Sequence, residues 1–255
     1  MIIGVIPARF ASTRLMGKPL ADIGGKPMIQ HTYESAKKSK LLDRVIVAVD
    51  DQKIYNVVKC FGGDVQMTPK DLQSGSDRIA SVVKNFPDAQ IIVNIQGDEP
   101  FIQGKMIDQA IEPLLFDHDV NVSTLVKKIE SVDEMKSPSV VKTVFDYNNF
   151  ALYFSRSPIP FVRSARTNLE RIRMTDIFKH IGLYVYRRDS LLRFTKLEQT
   201  DLEQIEGLEQ LRMLENGYRI KVVVTEYESF SVDTQKDLEY ARKYYEKIRR
   251  SSKHK

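Results

Sequence analysis

Residues 44–61 read RVIVAVDDQKIYNVVKCF. The first part, 44–50, is apolar at every position between its charged ends and rich in β-branched residues. A strand apolar on nearly every residue is covered on both faces, as in a parallel sheet flanked by helices. The second part, 51–61, is amphipathic and reads as a helix. One strand followed at once by one helix is the repeating unit of a doubly wound α/β fold.

The same unit recurs on both sides. IIGVI (2–6) reads as a strand and PMIQHTYESAKKS (27–39) as a helix with proline in its first turn. DVQMT (64–68), QIIVNIQ (90–96) and a segment near 120–127 read as strands. GSDRIASVVKNF (75–86) and a segment near 104–116 read as helices. Near residue 138 the rhythm changes. SVVKTVFD, FALYFSR and FKHIGLYVYRR are strand-like with little helix between them, which predicts an antiparallel subregion over about 138–190 with a charged loop at 163–176. A helix at 201–216, a strand at 219–225 and a helix from about 234 complete one expected domain of 255 residues.

Composition bounds the functional classes. With 42% hydrophobic residues the chain can bury a sizeable core, and it has no apolar run of the ~18–20 residues that span a bilayer. MIIGVIPAR enters a strand pattern without a basic lead or a small-residue cleavage site, so a cytoplasmic protein with no membrane insertion is expected. Cys60 is the single cysteine, which excludes an intramolecular disulfide framework and a thiolate metal cluster. Beside Phe61 on an apolar helix face, it is expected in the core. The net charge of +5 owes much to the tail KIRRSSKHK, expected to be disordered over 249–255. Without the tail the balance is near neutral, and nucleic-acid binding has little support.

In a doubly wound sheet, ligands gather at the carboxyl ends of the strands. The loop leaving the first strand, IPARFASTRLMGKPL (6–20), carries Arg9, Arg14 and Lys18 and no carboxylate. Gly17 allows close backbone approach, and Pro7 and Pro19 stiffen the ends. That suits a polyphosphate, although the stretch is neither a P-loop nor a dinucleotide fingerprint; a solvated loop is the other reading. QGDEP (96–100) ends the most apolar strand and puts Asp98 where Mg²⁺, which favours one or two carboxylates plus phosphate oxygens, would need it. An acidic turn fits the same letters. SVDTQKDLE (231–239) offers Asp233 as a second carboxylate, but Asp233 or Thr234 is also a natural helix N-cap completed by Asp237. In QSGSDRIA (73–80), Ser74 to Ser76 face a helix N-terminus with Arg78 one turn on, and Ser76 or Asp77 is the expected cap. ALYFSRSPIP and KHIGLYVYR carry Arg156, His180 and Tyr184, the last two on one face of a strand. LEQIEGLEQLRMLENG carries Glu209 and Gln210, with a Gly207 that costs ~1 kcal/mol inside a helix.

Taken together and in order, nine stretches resemble the 3-deoxy-manno-octulosonate (Kdo) cytidylyltransferases of lipopolysaccharide synthesis: IPARFASTRLMGKPLADIGGKPMIQH, VAVDD, SGSDRIA, VNIQGDEPFI, VVKTVFD, ALYFSRSPIP, KHIGLYVYR, LEQIEGLEQLRMLENG and VDTQKDLE. The resemblance implies a Rossmann-like nucleotidyltransferase fold, a homodimer formed through the antiparallel subregion, and transfer of CMP from CTP to Kdo with release of pyrophosphate. It places the triphosphate on Ala8, Arg9, Arg14 and Lys18 and the nucleoside near Ser74 and Arg78, with Gln96 also among the nucleotide-binding residues. It places Mg²⁺ on Asp98 and Asp233, and the sugar acid on Gln96, Arg156, Arg163, His180, Tyr184, Glu209 and Gln210. Met16 and Ser231 depart from the proline and glycine that the family commonly has there. Bringing two anions together requires cations and an orienting metal, so Lys18, Arg9 and Asp98 are the expected catalytic groups, without a covalent intermediate. Related acceptors, such as the 8-amino analogue of Kdo or a sialic acid, are the alternatives.

Overall fold

The computed structural model describes residues 1–11 and 15–252 and divides into two compact units. The first comprises Met1–Asp108 with Glu228–Lys255 and the second Gln109–Tyr227.

In the first unit, β1 (Ile2–Ala8) is followed by a short hairpin, β2 (Asp22–Ile23) and β3 (Lys26–Pro27), and by α1 (Met28–Ala36). Then come β4 (Arg44–Val49), α2 (Gln52–Cys60), β5 (Val65–Met67), α3 (Gly75–Val83) and β6 (Ile91–Asn94), and α4 (Gly104–Phe116) begins in this unit and ends in the second. The other four strands form a parallel sheet in the order β6-β1-β4-β5. Val5 lies beside Ile46 on one side and Asn94 on the other. Ile3, Val5, Val47, Val49 and Val93 are wholly buried, as strands covered on both faces require. The expected strand–helix alternation of residues 2–116 is therefore the observed one. Cys60 is a correction: α2 buries Ile54 and Val58, and the thiol-bearing residue at its last turn is exposed.

The C-terminal helix, Gln235–Ser252, extends through Ser252, into the stretch read as a loose tail. Leu238 and Ala241 from this helix join Val232, Ile23 and Met28 in one buried cluster. The helix is thus moored against the hairpin and α1, just beyond the basic loop.

The second unit contains β7 (Val122–Lys128), α5 (Val132–Lys136), β8 (Lys142–Phe145), β9 (Ala151–Ser155), α6 (Asn168–Met174) and β10 (Phe178–Arg187). It continues with α7 (Arg188–Phe194), α8 (Asp201–Glu206), α9 (Gln210–Glu215) and β11 (Ile220–Val224). β10 runs antiparallel to β7 and β8, β8 antiparallel to β9, and β11 parallel to β7. The antiparallel character expected past residue 138 is present. Two sequence expectations differ from the structure. The 163–176 stretch contains α6, capped by the Thr167 hydroxyl, which accepts from Glu170 N. The expected helix over 201–216 is two helices, broken where Gly207 adopts φ 61°. A left-handed residue ends an α-helix, and glycine takes that conformation without steric cost.

Candidate active site

β1 delivers the basic loop. After Ala8 the backbone turns out of the sheet, and Phe10 N is held by the Asp50 carboxylate at the end of β4 at 3.1 Å. Gly17, at φ 65°, donates from its amide to Phe10 O, and a single 3-10 turn, Lys18–Leu20, begins behind it. The left-handed glycine closes the loop on itself and sends Lys18 inward. Met16 is largely exposed, so the residue that departs from the family pattern does not fill the site. Arg14 lies outside the described residues.

Two segments meet Lys18. The first is QGDEP. A Cβ on Gly97 would stand 2.7 Å from Pro7 O, so only glycine lets this segment lie against the end of β1. The second is SVDT, where buried Val232 donates from its amide to Asp98 O at 2.9 Å. That bond sets Asp98 and Asp233 side by side. The cap question left by the sequence is answered here: Thr234 and Asp237 cap the C-terminal helix, and the Asp233 carboxylate is turned toward Lys18 instead. Lys18 Nζ donates to Asp98 Oδ2 at 2.6 Å and to Asp233 Oδ1 at 3.0 Å. Burial by itself would lower the pKa of the ammonium, but the two carboxylates outweigh it and hold the value above the usual 10.5.

A cavity of about 300 Å³ opens beside this group, lined by Ala8, Arg9, Lys18, Gln96 and Asp98 among others. Arg9 Nη2 donates to Leu72 O at 2.7 Å, and Gln96 Nε2 to Asn94 Oδ1 at 3.2 Å. A larger cavity of about 610 Å³ lies by Phe101, Tyr244 and Tyr245 and contains none of the expected site residues. Convergent charge, and not volume, distinguishes the smaller one and makes it the candidate site.

Ser74 and Arg78 sit differently from expectation. Ser74, and not Ser76 or Asp77, caps α3: its hydroxyl accepts from Asp77 N at 3.1 Å, and in return Ser74 N donates to Asp77 Oδ2 at 3.0 Å. Arg78 is wholly buried, and its guanidinium bonds the Thr68 hydroxyl, Pro69 O at 3.3 Å and Asp50 Oδ2 at 3.3 Å. Burial lowers its pKa, Asp50 opposes that, and the nearby Arg9 cation adds to the lowering. Asp50 is a residue that the sequence reading missed as a site member, although it stood in a quoted stretch. It ties Phe10 of the basic loop and Arg78 of α3 to the end of β4. Its signal was its place: a carboxylate at the end of a buried parallel strand.

The remaining expected residues belong to the second unit. On β10, His180 and Tyr184 share a face with ring centroids 5.2 Å apart, and Phe154 packs edge-on to His180. Thr124 donates its hydroxyl to Leu183 O at 2.8 Å, so the 2.9 Å contact with His180 Nε2 has the imidazole N–H donating. Burial lowers the His180 pKa to about 3 and leaves the ring neutral. Tyr184 is buried, its hydroxyl has no hydrogen-bond partner among the described residues, and burial and the nearby Tyr186 and Glu209 raise its pKa. Gln210 is buried at the start of α9. Arg156 spends its guanidinium on Glu206 O at 2.6 Å, Pro138 O at 2.9 Å and Gly207 O at 3.2 Å, and so clamps the α8–α9 turn. Arg163 lies exposed in a turn.

Comparison with known proteins decides the family. The sequence pattern of the cytidylyltransferase family matches residues 3–221. The chain is 52% identical over 242 residues to the 3-deoxy-manno-octulosonate cytidylyltransferase of Geotalea uraniireducens, covering 93% of this chain and 96% of that one. The chain belongs to the 3-deoxy-manno-octulosonate cytidylyltransferase family. It is 50% identical to the enzyme of the same name from Geobacter metallireducens, over 98% of each chain. Among solved structures, a CMP:2-keto-3-deoxy-manno-octonic acid synthetase complexed with CTP superposes with a TM-score of 0.90 at 40% identity, covering 97% of this chain and 99% of that one. The chain is accordingly a nucleotidyltransferase enzyme, and the α/β fold expected from its sequence is the fold of its family. No helix among the described residues is long and apolar enough to cross a membrane.

Proposed function

We propose that the protein transfers CMP from CTP to Kdo, giving CMP-Kdo and pyrophosphate. The observation that carries this reading is the convergence of Lys18, Asp98 and Asp233 at the mouth of a cavity lined by Arg9 and Gln96. The names of the relatives and the CTP complex of the structural neighbour support the substrates. In the reaction the anomeric hydroxyl of Kdo bonds to the α-phosphorus of CTP. The bond from that phosphorus to the bridging oxygen breaks, pyrophosphate leaves with its electron pair, and the hydroxyl proton passes to solvent.

The residues present fit Mg²⁺. Asp98 and Asp233 supply two hard oxygen donors that already converge on one cation, the Lys18 ammonium, which stands in for a bound ion. When bound there, Mg²⁺ supplies charge neutralisation at the α-phosphate and makes the attacking hydroxyl more acidic. Lys18 and Arg9 face the triphosphate and offset the charge that accumulates on the leaving pyrophosphate. Asp50 keeps the loop that carries Arg9 against the sheet through Phe10 N. Ser74 and Arg78 border the nucleoside side. On the acceptor side we assign Arg156, Arg163, His180, Tyr184, Glu209 and Gln210 to the sugar acid, with the unpartnered Tyr184 hydroxyl as the donor most in need of a ligand. The protein is proposed to act as a homodimer through the second unit, where Leu152 and Phe161 are 62% and 80% exposed; sedimentation of the free protein tests this.

Pyrophosphate release from CTP with Kdo, its 8-amino analogue or a sialic acid tests the reading. Kdo is expected to be turned over fastest. A preference for sialic acid would overturn the assignment, and a preference for the 8-amino acid would replace Kdo within it. Retention of full Mg²⁺-dependent turnover by Asp98→Ala would remove the metal assignment.

A further inference from the structure

Lys18 Nζ lies within 3.0 Å of one oxygen from each carboxylate, so it fills the point on which Asp98 and Asp233 converge. A divalent cation cannot share that point. It would meet an ammonium at contact distance, where like charges in a partly buried setting repel strongly. The ammonium is also held firmly. Gly17 fixes the backbone behind it at φ 65°, Pro19 follows as the buried second residue of the 3-10 turn, and the Lys18 side chain is only 15% exposed. Yet the same side chain lines the cavity with Arg9, where a polyphosphate would offer it other oxygens.

We propose that Lys18 is an internal counter-cation that keeps Asp98 and Asp233 closed to a divalent metal until a nucleotide triphosphate draws the ammonium away. The inference rests on the reading of Asp98 and Asp233 as metal ligands and adds an order to it. The free protein holds its own cation between the carboxylates, and nucleotide and metal then enter together. Withdrawal of Lys18 does two things in one movement: it frees two carboxylates for the metal and brings a cation to the phosphates. By linkage, each of the two ligands must then raise the affinity for the other by the same factor. A purely structural ion pair predicts none of this.

The test is Mn²⁺ binding to the full chain without nucleotide, read from the free-ion paramagnetic resonance signal. Three proteins are compared: the wild type, Lys18→Met, and Lys18→Met combined with Asp98→Asn. The single variant is expected to bind one Mn²⁺ at least about tenfold more tightly than the wild type, because a repelling charge has been removed from a two-carboxylate site. The added Asp98→Asn should abolish that gain. The thermal midpoint of Lys18→Met alone should also fall without metal, through unscreened carboxylate repulsion, and recover with Mn²⁺, whereas the wild type should not respond to Mn²⁺ alone. Equal Mn²⁺ affinity of wild type and Lys18→Met, lost when Asp98→Asn is added to Lys18→Met, would overturn the counter-cation while leaving the metal ligands in place. Gain in Lys18→Met that survives Asp98→Asn would instead overturn the ligand assignment. If Lys18→Met does not fold, Lys18→Gln takes its place, and nucleotide-free wild type that binds Mn²⁺ as tightly as its CTP-bound form also overturns the proposal.

Discussion

Thr234 and Asp237 close the first turn of the C-terminal helix on each other: Thr234 N and Oγ1 each donate to Asp237 Oδ2 at 2.8 Å, and Asp237 N donates back to Thr234 Oγ1 at 3.3 Å. Asp233 N joins them, donating to the same Asp237 oxygen at 3.2 Å. The cap therefore fixes the backbone of Asp233 while leaving its carboxylate to Lys18. Structure at a helix end and chemistry at a cation site are built from neighbouring residues without competing.

Asp237→Ala should remove all three acceptor contacts. Loss of a helix cap costs about 1 kcal/mol, up to about 2, and a lower thermal midpoint is expected. Because Asp233 loses its anchor as well, more Mg²⁺ should be needed for half-maximal turnover, while Kdo affinity is unchanged. A destabilised variant with an unaltered Mg²⁺ requirement would show that the cap does not position Asp233.

Asp50→Ala and Asp50→Asn should separate two roles of one carboxylate. Alanine leaves the fully buried Arg78 guanidinium without its ion-pair partner, and stranding a buried charge costs about 3–5 kcal/mol. Since the Thr68 and Pro69 contacts remain, the lower end of that range is expected. Asparagine can still accept from Phe10 N, so its loss should be smaller. Both should raise the apparent KM for CTP, because Arg9 sits on the loop that Asp50 holds. Denaturant unfolding and initial rates measure the two effects.

The sequence made much of this legible because parallel strands buried on both faces leave long apolar runs, and residues 2–96 consist of little else between helices. Lys18, Asp98 and Asp233 came into one hypothesis through the resemblance to a known family, because position alone left Asp98 as an acidic turn and Asp233 as a helix cap. What it did not show was pairing. Whether Asp233 or Thr234 capped the helix depended on the bond from Val232 to Asp98, a contact across more than a hundred residues that leaves no local pattern. Arg78 reads in sequence as a cation one turn into a helix, and only the fold places it, buried, against Asp50. The break at Gly207 was visible as a helix-breaking letter, but a helix-period pattern on both sides concealed it. α6 was hidden by its charge, because a short polar helix held by a cap lacks the apolar stripe that reveals longer ones.

Gly207→Ala should lower stability by about 1–2 kcal/mol, the cost of holding a non-glycine residue in the left-handed region. The nearest atom to the added Cβ is Arg156 Nη2 at 3.8 Å, an ordinary contact, so backbone strain alone is being measured. Relief of that strain would shift Gly207 O away from Arg156, and Kdo affinity should weaken with it. Full stability would mean that the α8–α9 break tolerates a side chain and that glycine is dispensable there.

Acid stability should depend on His180. Burial lowers its pKa from 6.5 to about 3, so between those values the unfolded chain binds a proton that the folded chain refuses. The stabilisation is complete above about pH 6.5 and is lost as pH falls toward 3, at no more than about 1.4 kcal/mol per pH unit. His31, whose pKa is also lowered by burial, acts in the same direction. His180→Gln keeps a side-chain donor for the Thr124 hydroxyl and removes the titration. Its unfolding free energy, measured in urea from pH 7 down to pH 4, should therefore fall less steeply than that of the wild type. Parallel curves would mean that the imidazole accepts a proton as readily folded as unfolded, and that the neutral, Nε2-protonated ring assigned to the acceptor side is not the state in solution.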